Sequence, residues 1–229
     1  MNALIACLPR RHLLVLALTA AGLSACATAG SYDDFFIALK RDDPNAIATL
    51  INRGFDPNAV NAQGDGGLII ALREPSPKAL AILLQSRKTN VELRNRADES
   101  PLMIAVIKGD LDTAKALIAR DADVNKPGWA PLHYAVSTRQ PHQIELIKLL
   151  LDNYAFIDAQ SPNGTTPLMM AAGYGGEDAA KLLLSEGADT TMRNQQGMTA
   201  ADFARKAQRA DLAAQIDAAA RASKPSGSW

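Results

Sequence analysis

The chain has 229 residues, with 24 basic and 24 acidic side chains, 48% hydrophobic residues and 5% aromatic residues. Because the opposite charges balance, the composition excludes a strong electrostatic pull toward nucleic acid or an anionic membrane surface. A core built from the plentiful alanine and leucine favours helices that pack closely on other helices.

The N-terminal segment has the pattern of an export signal. Arg10 and Arg11 precede the apolar run LLVLALTAAGL, and no charged residue occurs between Arg11 and Asp33. Positive charge followed by an apolar run of this length is typical of a secretory signal. The stretch Leu23-Ser24-Ala25-Cys26 resembles a bacterial lipobox, which implies lipidation of the Cys26 thiol and cleavage of the chain before it.

The lipobox resemblance implies a signal peptide over 1–25, a lipidated tether over 26–31 and a place in the cell envelope. In bacterial lipoproteins, a residue other than Asp after the cysteine, here Ala27, usually implies an outer-membrane lipoprotein facing the periplasm. Two alternatives stay open. The uncharged span 13–32 is about long enough to cross a bilayer as an uncleaved helix, and a plain cleaved signal also fits. All three place the folded part outside the cytoplasm.

A short pattern recurs along the rest of the chain, centred on an alanine at positions 38, 71, 105, 135, 171 and 204. An amphipathic segment with apolar residues at i, i+3 and i+4 follows the first five copies, and a polar helix follows the last. Spacing near 33 residues indicates stacked helical repeats. The six copies read DDFFIALKRDD, GGLIIALREPS, SPLMIAVIKGD, APLHYAVSTRQ, TPLMMAAGYGG and TAADFARKAQ.

These copies resemble the ankyrin repeat, whose pattern is Thr-Pro-Leu-His-x-Ala-Ala, a second helix and then Gly-Ala-Asp. The threonine can cap the first helix, and proline suits its first turn. The resemblance implies an all-α solenoid of about six helix-turn-helix repeats with β-hairpin-like loops over 32–220. The repeats are expected at 32–65, 66–99, 100–129, 130–165, 166–198 and 199–220, the last a cap, and 221–229 is expected to be a disordered tail.

The sequence offers little for catalysis. His133 stands in the histidine position of the ankyrin pattern, which implies hydrogen bonds to neighbouring loops. His142 and Glu145 have the spacing of two metal ligands on one helix, but no third ligand is evident. Both cysteines lie within the first 26 residues, so no thiolate zinc site is expected in the repeats. We therefore expect no enzyme, no cofactor and no metal.

The ankyrin resemblance instead implies a protein-binding module that uses loop tips and the first helix of each repeat as a concave surface. Trp129 stands out, because tryptophan is over-represented at binding hot spots; the alternative is that it packs over the shortened NKPG loop. The family's variable positions give the candidate partner-binding residues Asp65, Arg73, Arg96, Glu99, Lys108, Trp129, Thr138, Asn163, Thr165, Tyr174 and Met198, extended by Gln63, Glu74, Ser137, Gln195, Arg205 and Lys206.

The sequence thus predicts a monomeric, envelope-anchored scaffold that binds a periplasmic or envelope protein and neither nucleic acid nor a small-molecule substrate. Two narrower roles stay open. One is an immunity or protective protein for a toxin or an oxidative-stress enzyme, and the other is a structural spacer of the envelope.

Overall fold

The computed structural model describes residues 30–222, which form six pairs of helices stacked in chain order. The described part has no strand beyond an isolated antiparallel bridge between Val60 and Gly66, and the predicted all-α solenoid is confirmed. The helices are α1 (30–40), α2 (Pro44–Asn52), α3 (Gly67–Arg73), α4 (Pro77–Gln85), α5 (Pro101–Lys108), α6 (Leu111–Ile118), α7 (Pro131–Ser137), α8 (Gln143–Asp152), α9 (Pro167–Gly173), α10 (Glu177–Ser185), α11 (Ala200–Lys206) and α12 (Ala210–Ala222).

Three of the first helices, α5, α9 and α11, begin where the sequence places a hydroxyl residue before proline or alanine. The Thr166 hydroxyl accepts a hydrogen bond from the Met169 N–H at 3.4 Å, and Ser100 and Thr199 cap α5 and α11 in the same way. Such caps satisfy amide donors that the first turn leaves without partners. The expected capping role of these residues is therefore confirmed.

Small side chains let the first helices pack closely across the stack. The helices α3, α5, α7, α9 and α11 contact one another in order, and the recurring alanines are buried between them. The closest approach involves Gly175, just after α9, where an added Cβ would overlap the carbonyl oxygen of Val136 in α7. The fit between the fourth and fifth repeats thus leaves no room for a side chain at this position.

Adjacent loops are joined by hydrogen bonds from a backbone N–H of one loop to a side chain of the preceding loop. Each bond spans about one repeat, so each of the first five repeats is held directly to its neighbour. The side-chain acceptors and N–H donors are Asn58 and Asn90 at 2.7 Å, Glu92 and Asp123 at 3.1 Å, Asn125 and Phe156 at 2.8 Å, and Asp158 and Asp189 at 2.9 Å.

Within residues 30–222, none of the helices combines the length and the apolar character needed to cross a membrane. The predicted signal peptide, the lipidation site Cys26 and most of the expected tail lie outside the described residues. These expectations therefore stay predictions from the sequence.

Candidate partner-binding surface

A cleft of about 500 Å³ opens where the last three repeats meet. Its walls come from the first helices α9 and α11 and from the loops that precede α7, α9 and α11. Apolar, aromatic and amide side chains alternate around it, and Lys206 carries its single formal charge. The lining residues are Trp129, Asn163, Thr165, Met170, Gly173, Tyr174, Asn194, Gln196, Met198, Phe203, Lys206 and Ala207.

Trp129 lies at one end of the cleft, immediately before α7. Its ring meets the His133 ring edge to face, with centroids 5.4 Å apart, and its carbonyl accepts a hydrogen bond from Lys126 Nζ at 3.1 Å. The side chain is half-buried and lines the cleft. The ring therefore packs against His133 and faces the cleft, and its role in partner binding stays a prediction.

His133 supports this end of the cleft from below. The side chain is 1% exposed; its Nδ1 accepts a hydrogen bond from the Ala130 N–H at 3.2 Å, and its Nε2 donates to the Thr165 carbonyl at 3.0 Å. Burial lowers the pKa of His133, which favours the neutral ring that these two bonds require. The predicted hydrogen bonding to a neighbouring loop is confirmed by the bond to Thr165.

Tyr174 forms the opposite wall. The side chain is 61% exposed, and its ring stands nearly perpendicular to that of Phe203, with centroids 6.4 Å apart. Lys206 lies on the same wall and forms no ion pair with any residue of the described range. An aromatic pair beside an available ammonium group can contact apolar, aromatic or acidic groups of a partner.

Thr165 contributes differently from its expected exposed role. The residue is 2% exposed, its N–H donates to Ser161 Oγ at 3.0 Å, and its carbonyl accepts from His133. These groups are already used within the fold, so Thr165 shapes the floor of the cleft.

A charged cluster occupies the corresponding surface of the second and third repeats. Arg73 forms ion pairs with Asp65 at 2.9 Å and with Glu99 at 2.8 Å, and Lys108 Nζ donates to the Arg73 carbonyl at 2.8 Å. Burial and the nearby Glu99 raise the pKa of Tyr134 to about 12. Four predicted binding residues are thus brought together, but Arg73 pairs with both acids and Lys108 bonds a backbone carbonyl.

The other predicted positions lie outside both groups. Arg96 lays its side chain over Gly64, and Thr138 follows α7, where its hydroxyl accepts from the Gln140 N–H at 3.2 Å. His142 Nδ1 and Glu145 Oε1 are 3.8 Å apart. No group of three or more potential His, Cys, Asp or Glu ligands occurs within residues 30–222.

Several cleft residues were missed from the sequence, although one signal was present. Met170 and Phe203 directly precede the recurring alanine of their repeats, as does Tyr134. The first three repeats have isoleucine at this position, whereas the last three have these larger side chains. The missed lining residues are Met170, Gly173, Asn194, Gln196, Phe203 and Ala207.

Comparisons with known proteins agree with this architecture. The family model described as ankyrin repeats matches three times, over 35–127, 68–161 and 132–216. The nuclear factor NF-kappa-B p105 subunit of Gallus gallus is 32% identical over 165 residues, covering 69% of this chain and 16% of that protein. The B-cell lymphoma 3 protein homolog of Mus musculus is 29% identical over 158 residues, covering 66% and 35%. This chain therefore spans about a sixth to a third of these relatives.

One solved structure contains a chain of which nearly the whole length matches this protein. It contains the Bd0816 predatory endopeptidase from Bdellovibrio bacteriovorus in complex with the immunity protein Bd3460. One chain of that structure superposes with a TM-score of 0.67 at 26% identity, covering 80% of this chain and 97% of that chain.

Proposed function

The chain belongs to the ankyrin-repeat family, and from this premise we propose that it is a non-enzymatic scaffold whose last three repeats bind a protein partner in their shared cleft. The observation that carries the proposal is the gathering of Trp129, Tyr174 and Met198 around one cavity of about 500 Å³. Tryptophan and tyrosine are enriched among the residues that dominate binding energy.

The cleft suits a partner better than the charged cluster does. A partner that used Arg73 or Glu99 would have to compete with ion pairs that already exist between them, whereas Tyr174 and Lys206 are available. The lining also supplies amide groups at Asn163 and Gln196 for hydrogen bonds at the rim. This arrangement of apolar contacts with nearby polar groups is common in protein interfaces.

The proposed place of action is the cell envelope, supported by the lipobox resemblance around Cys26. Residue 30 is already part of helix α1, so at most three residues separate the proposed lipid attachment site from it. Three extended residues reach at most about 11 Å. In the anchored protein, the first repeat would therefore lie close to the membrane and the cleft would lie at the far end of the stack.

A second candidate function is narrower, and the similarity to a chain of the endopeptidase–immunity protein complex favours it. In this version the partner is an envelope enzyme, such as a peptidase or a delivered toxin, whose activity this chain restrains. Protection of an oxidative-stress enzyme would use the same cleft. A structural spacer, in contrast, would need no partner there.

The test compares tagged full-length protein with Tyr174→Ala after recovery from detergent-solubilised envelopes of the native host. A binding hot spot contributes about 2 kcal/mol, so we expect recovery of a stoichiometric partner to fall about tenfold or more. Because Tyr174 is largely exposed, the free energy of unfolding should change by less than about 0.5 kcal/mol. In a separate arm, Cys26→Ser should move the folded protein from the membrane fraction to the soluble fraction.

Ile37→Ala, an exposed apolar residue of α1, serves as the control and should retain the partner. Equal losses with Ile37→Ala and Tyr174→Ala would contradict binding in the cleft. Absence of any stoichiometric partner would favour the spacer. Retention of Cys26→Ser in carbonate-washed membranes would favour an uncleaved N-terminal helix.

A further inference from the structure

The loop that follows α8 carries two exposed aromatic side chains outside the cleft. Tyr154 is 85% exposed and Phe156 is 67% exposed, and the intervening Ala155 is buried in the core. The same loop position occurs in other repeats of this chain. Those repeats show which residues the local backbone favours there.

Tyr154 adopts a backbone conformation that is unfavourable for tyrosine. Its φ is +65°, and the equivalent residues are Gly54 at +97°, Asp121 at +64° and Gly187 at +88°. Glycine adopts this region without a steric cost and aspartate is comparatively tolerant of it, whereas a bulky side chain is strained. Since the tyrosine side chain is almost fully exposed, its own packing offers little in return.

Phe156 replaces a residue that stabilises the turn elsewhere in the chain. At the equivalent position, the carboxylates of Asp56, Asp123 and Asp189 each accept a hydrogen bond from the N–H two residues later, at 2.9, 2.9 and 2.7 Å. Phenylalanine has no acceptor, so the fourth repeat lacks this bond. Tyr154 and Phe156 thus both depart from the residues that the other repeats use in this turn, and both place an exposed aromatic group there. Strained backbone positions such as that of Tyr154 cluster at functional sites.

The surroundings of the aromatic pair are acidic. Asp152 ends α8 and is exposed, and the adjacent loops present Asp121 on one side and Glu186 on the other. Asn125 joins the loop after α6 to the loop after α8. Its side chain donates to the Tyr154 carbonyl and accepts from the Phe156 N–H, both at 2.8 Å. These three carboxylates form no ion pairs within residues 30–222.

Basic side chains of this repeat and of the preceding loop also lie near the pair. Lys148 lies one turn before Asp152 on α8 and is the nearest ammonium along the chain. The guanidinium of Arg120 is already bound to carbonyl groups of the second repeat. Three exposed carboxylates without ion pairs in the described part of the chain therefore flank the two rings, and their charge would attract a basic partner.

We propose that Tyr154 and Phe156, with the flanking Asp121, Asp152 and Glu186, form a second docking surface that binds a basic segment of a protein. Arginine and lysine groups stack on aromatic faces and pair with carboxylates, so both features of the surface favour the same occupant. An anionic lipid surface or a second copy of this acidic loop would be repelled. The surface is separate from the cleft and does not depend on it.

The test measures binding of a labelled peptide of alternating arginine and alanine to the full chain in a non-ionic detergent, by fluorescence anisotropy. The double variant Tyr154→Gly/Phe156→Asp restores the residues of the first and fifth repeats, so its melting temperature should not fall. The variant also adds a negative charge, so electrostatic attraction by itself predicts tighter binding. We expect instead that affinity falls about tenfold or more, and that Asp152→Lys/Glu186→Lys also weakens binding.

Tyr174→Ala is the matched control in the cleft and should bind the arginine peptide as the unaltered chain does. A peptide with glutamate in place of arginine should not bind. The proposal is overturned if the double variant retains affinity or if Tyr174→Ala abolishes it. It is also overturned if vesicles of phosphatidylglycerol and phosphatidylethanolamine bind through Tyr154 and Phe156, or if these residues mediate self-association in sedimentation.

Discussion

The imidazole of His133 links the fourth and fifth repeats through both ring nitrogens. Because Nε2 faces the Thr165 carbonyl, it must carry the proton, and Nδ1 must stay unprotonated to accept from the Ala130 N–H. A second proton would remove the acceptor and place a charge in a buried site. The neutral ring is therefore part of the folded structure.

This requirement predicts a loss of stability in mild acid. The pKa of His133 lies below its ordinary value of 6.5 in the folded chain, so below about pH 6.5 the unfolded chain takes up a proton that the folded chain does not. The contribution is fully present above this pH and decreases progressively below it, by at most about 1.4 kcal/mol per pH unit. Urea unfolding at about pH 7.5 and about pH 5.5 measures the difference.

His133→Asn removes the titrating group and should show a smaller loss between the same two pH values, although it is less stable at the higher one. His142→Asn, at an exposed position, is the control and should follow the unaltered chain. Identical pH dependence in all three proteins would contradict a role for His133.

At the scale of a single element, α4 ends without a glycine cap and depends on an arginine from the following repeat. Arg120, just after α6, donates to the carbonyls of Leu83 at 3.4 Å, Leu84 at 2.8 Å, Ser86 at 3.1 Å and Thr89 at 2.7 Å. The last carbonyls of a helix have no partner within it. Arg120 therefore closes α4 and attaches the third repeat to the second.

We expect Arg120→Leu to lower the free energy of unfolding by about 2 kcal/mol, because several half-buried carbonyls lose charge-assisted hydrogen bonds. Arg87→Leu lies in the loop that Arg120 contacts and is exposed, so it should change stability by less than about 0.5 kcal/mol. Chemical unfolding of both variants provides the comparison. Equal stabilities would show that water replaces the arginine at no cost.

The helices could be predicted from the sequence because their signals are local. A hydroxyl residue before proline, as at Thr166, and apolar spacing along the following helix are readable within one repeat. The partners of Arg120 were not predictable, since they are backbone carbonyls that lie 31 to 37 residues earlier in the chain. Tyr154 is an intermediate case, because its departure from Gly54 and Gly187 was visible once the repeats were aligned.

At the scale of the whole molecule, each repeat contacts its neighbours along the stack. The stability of the stack therefore depends on every interface between successive repeats. Gly175 lies at one of these interfaces, where the Val136 carbonyl of the preceding repeat occupies the position that a Cβ of residue 175 would need. In a solenoid, the loss of one interface separates the repeats on either side. A change at Gly175 should therefore act mainly on the last two repeats.

We predict that Gly175→Ala lowers the free energy of unfolding by about 3 kcal/mol, because the new methyl group must displace backbone atoms. Hydrogen exchange should accelerate in α9–α12 and stay slow in α3–α6. Gly176→Ala is the matched control, since its Cβ would meet the end of the Gln143 side chain, 3.1 Å away, which can move. A uniform acceleration along all repeats would contradict separation at this interface.

The distribution of charge along the stack gives the two proposed surfaces different responses to ionic strength. The cleft has one formal charge among its lining residues, so binding there should change little when salt is added. Salt screens the attraction of exposed carboxylates for a basic partner, so binding at the loop after α8 should weaken steadily. A titration with sodium chloride can thus assign any newly found partner to one surface before a structure of the complex is known.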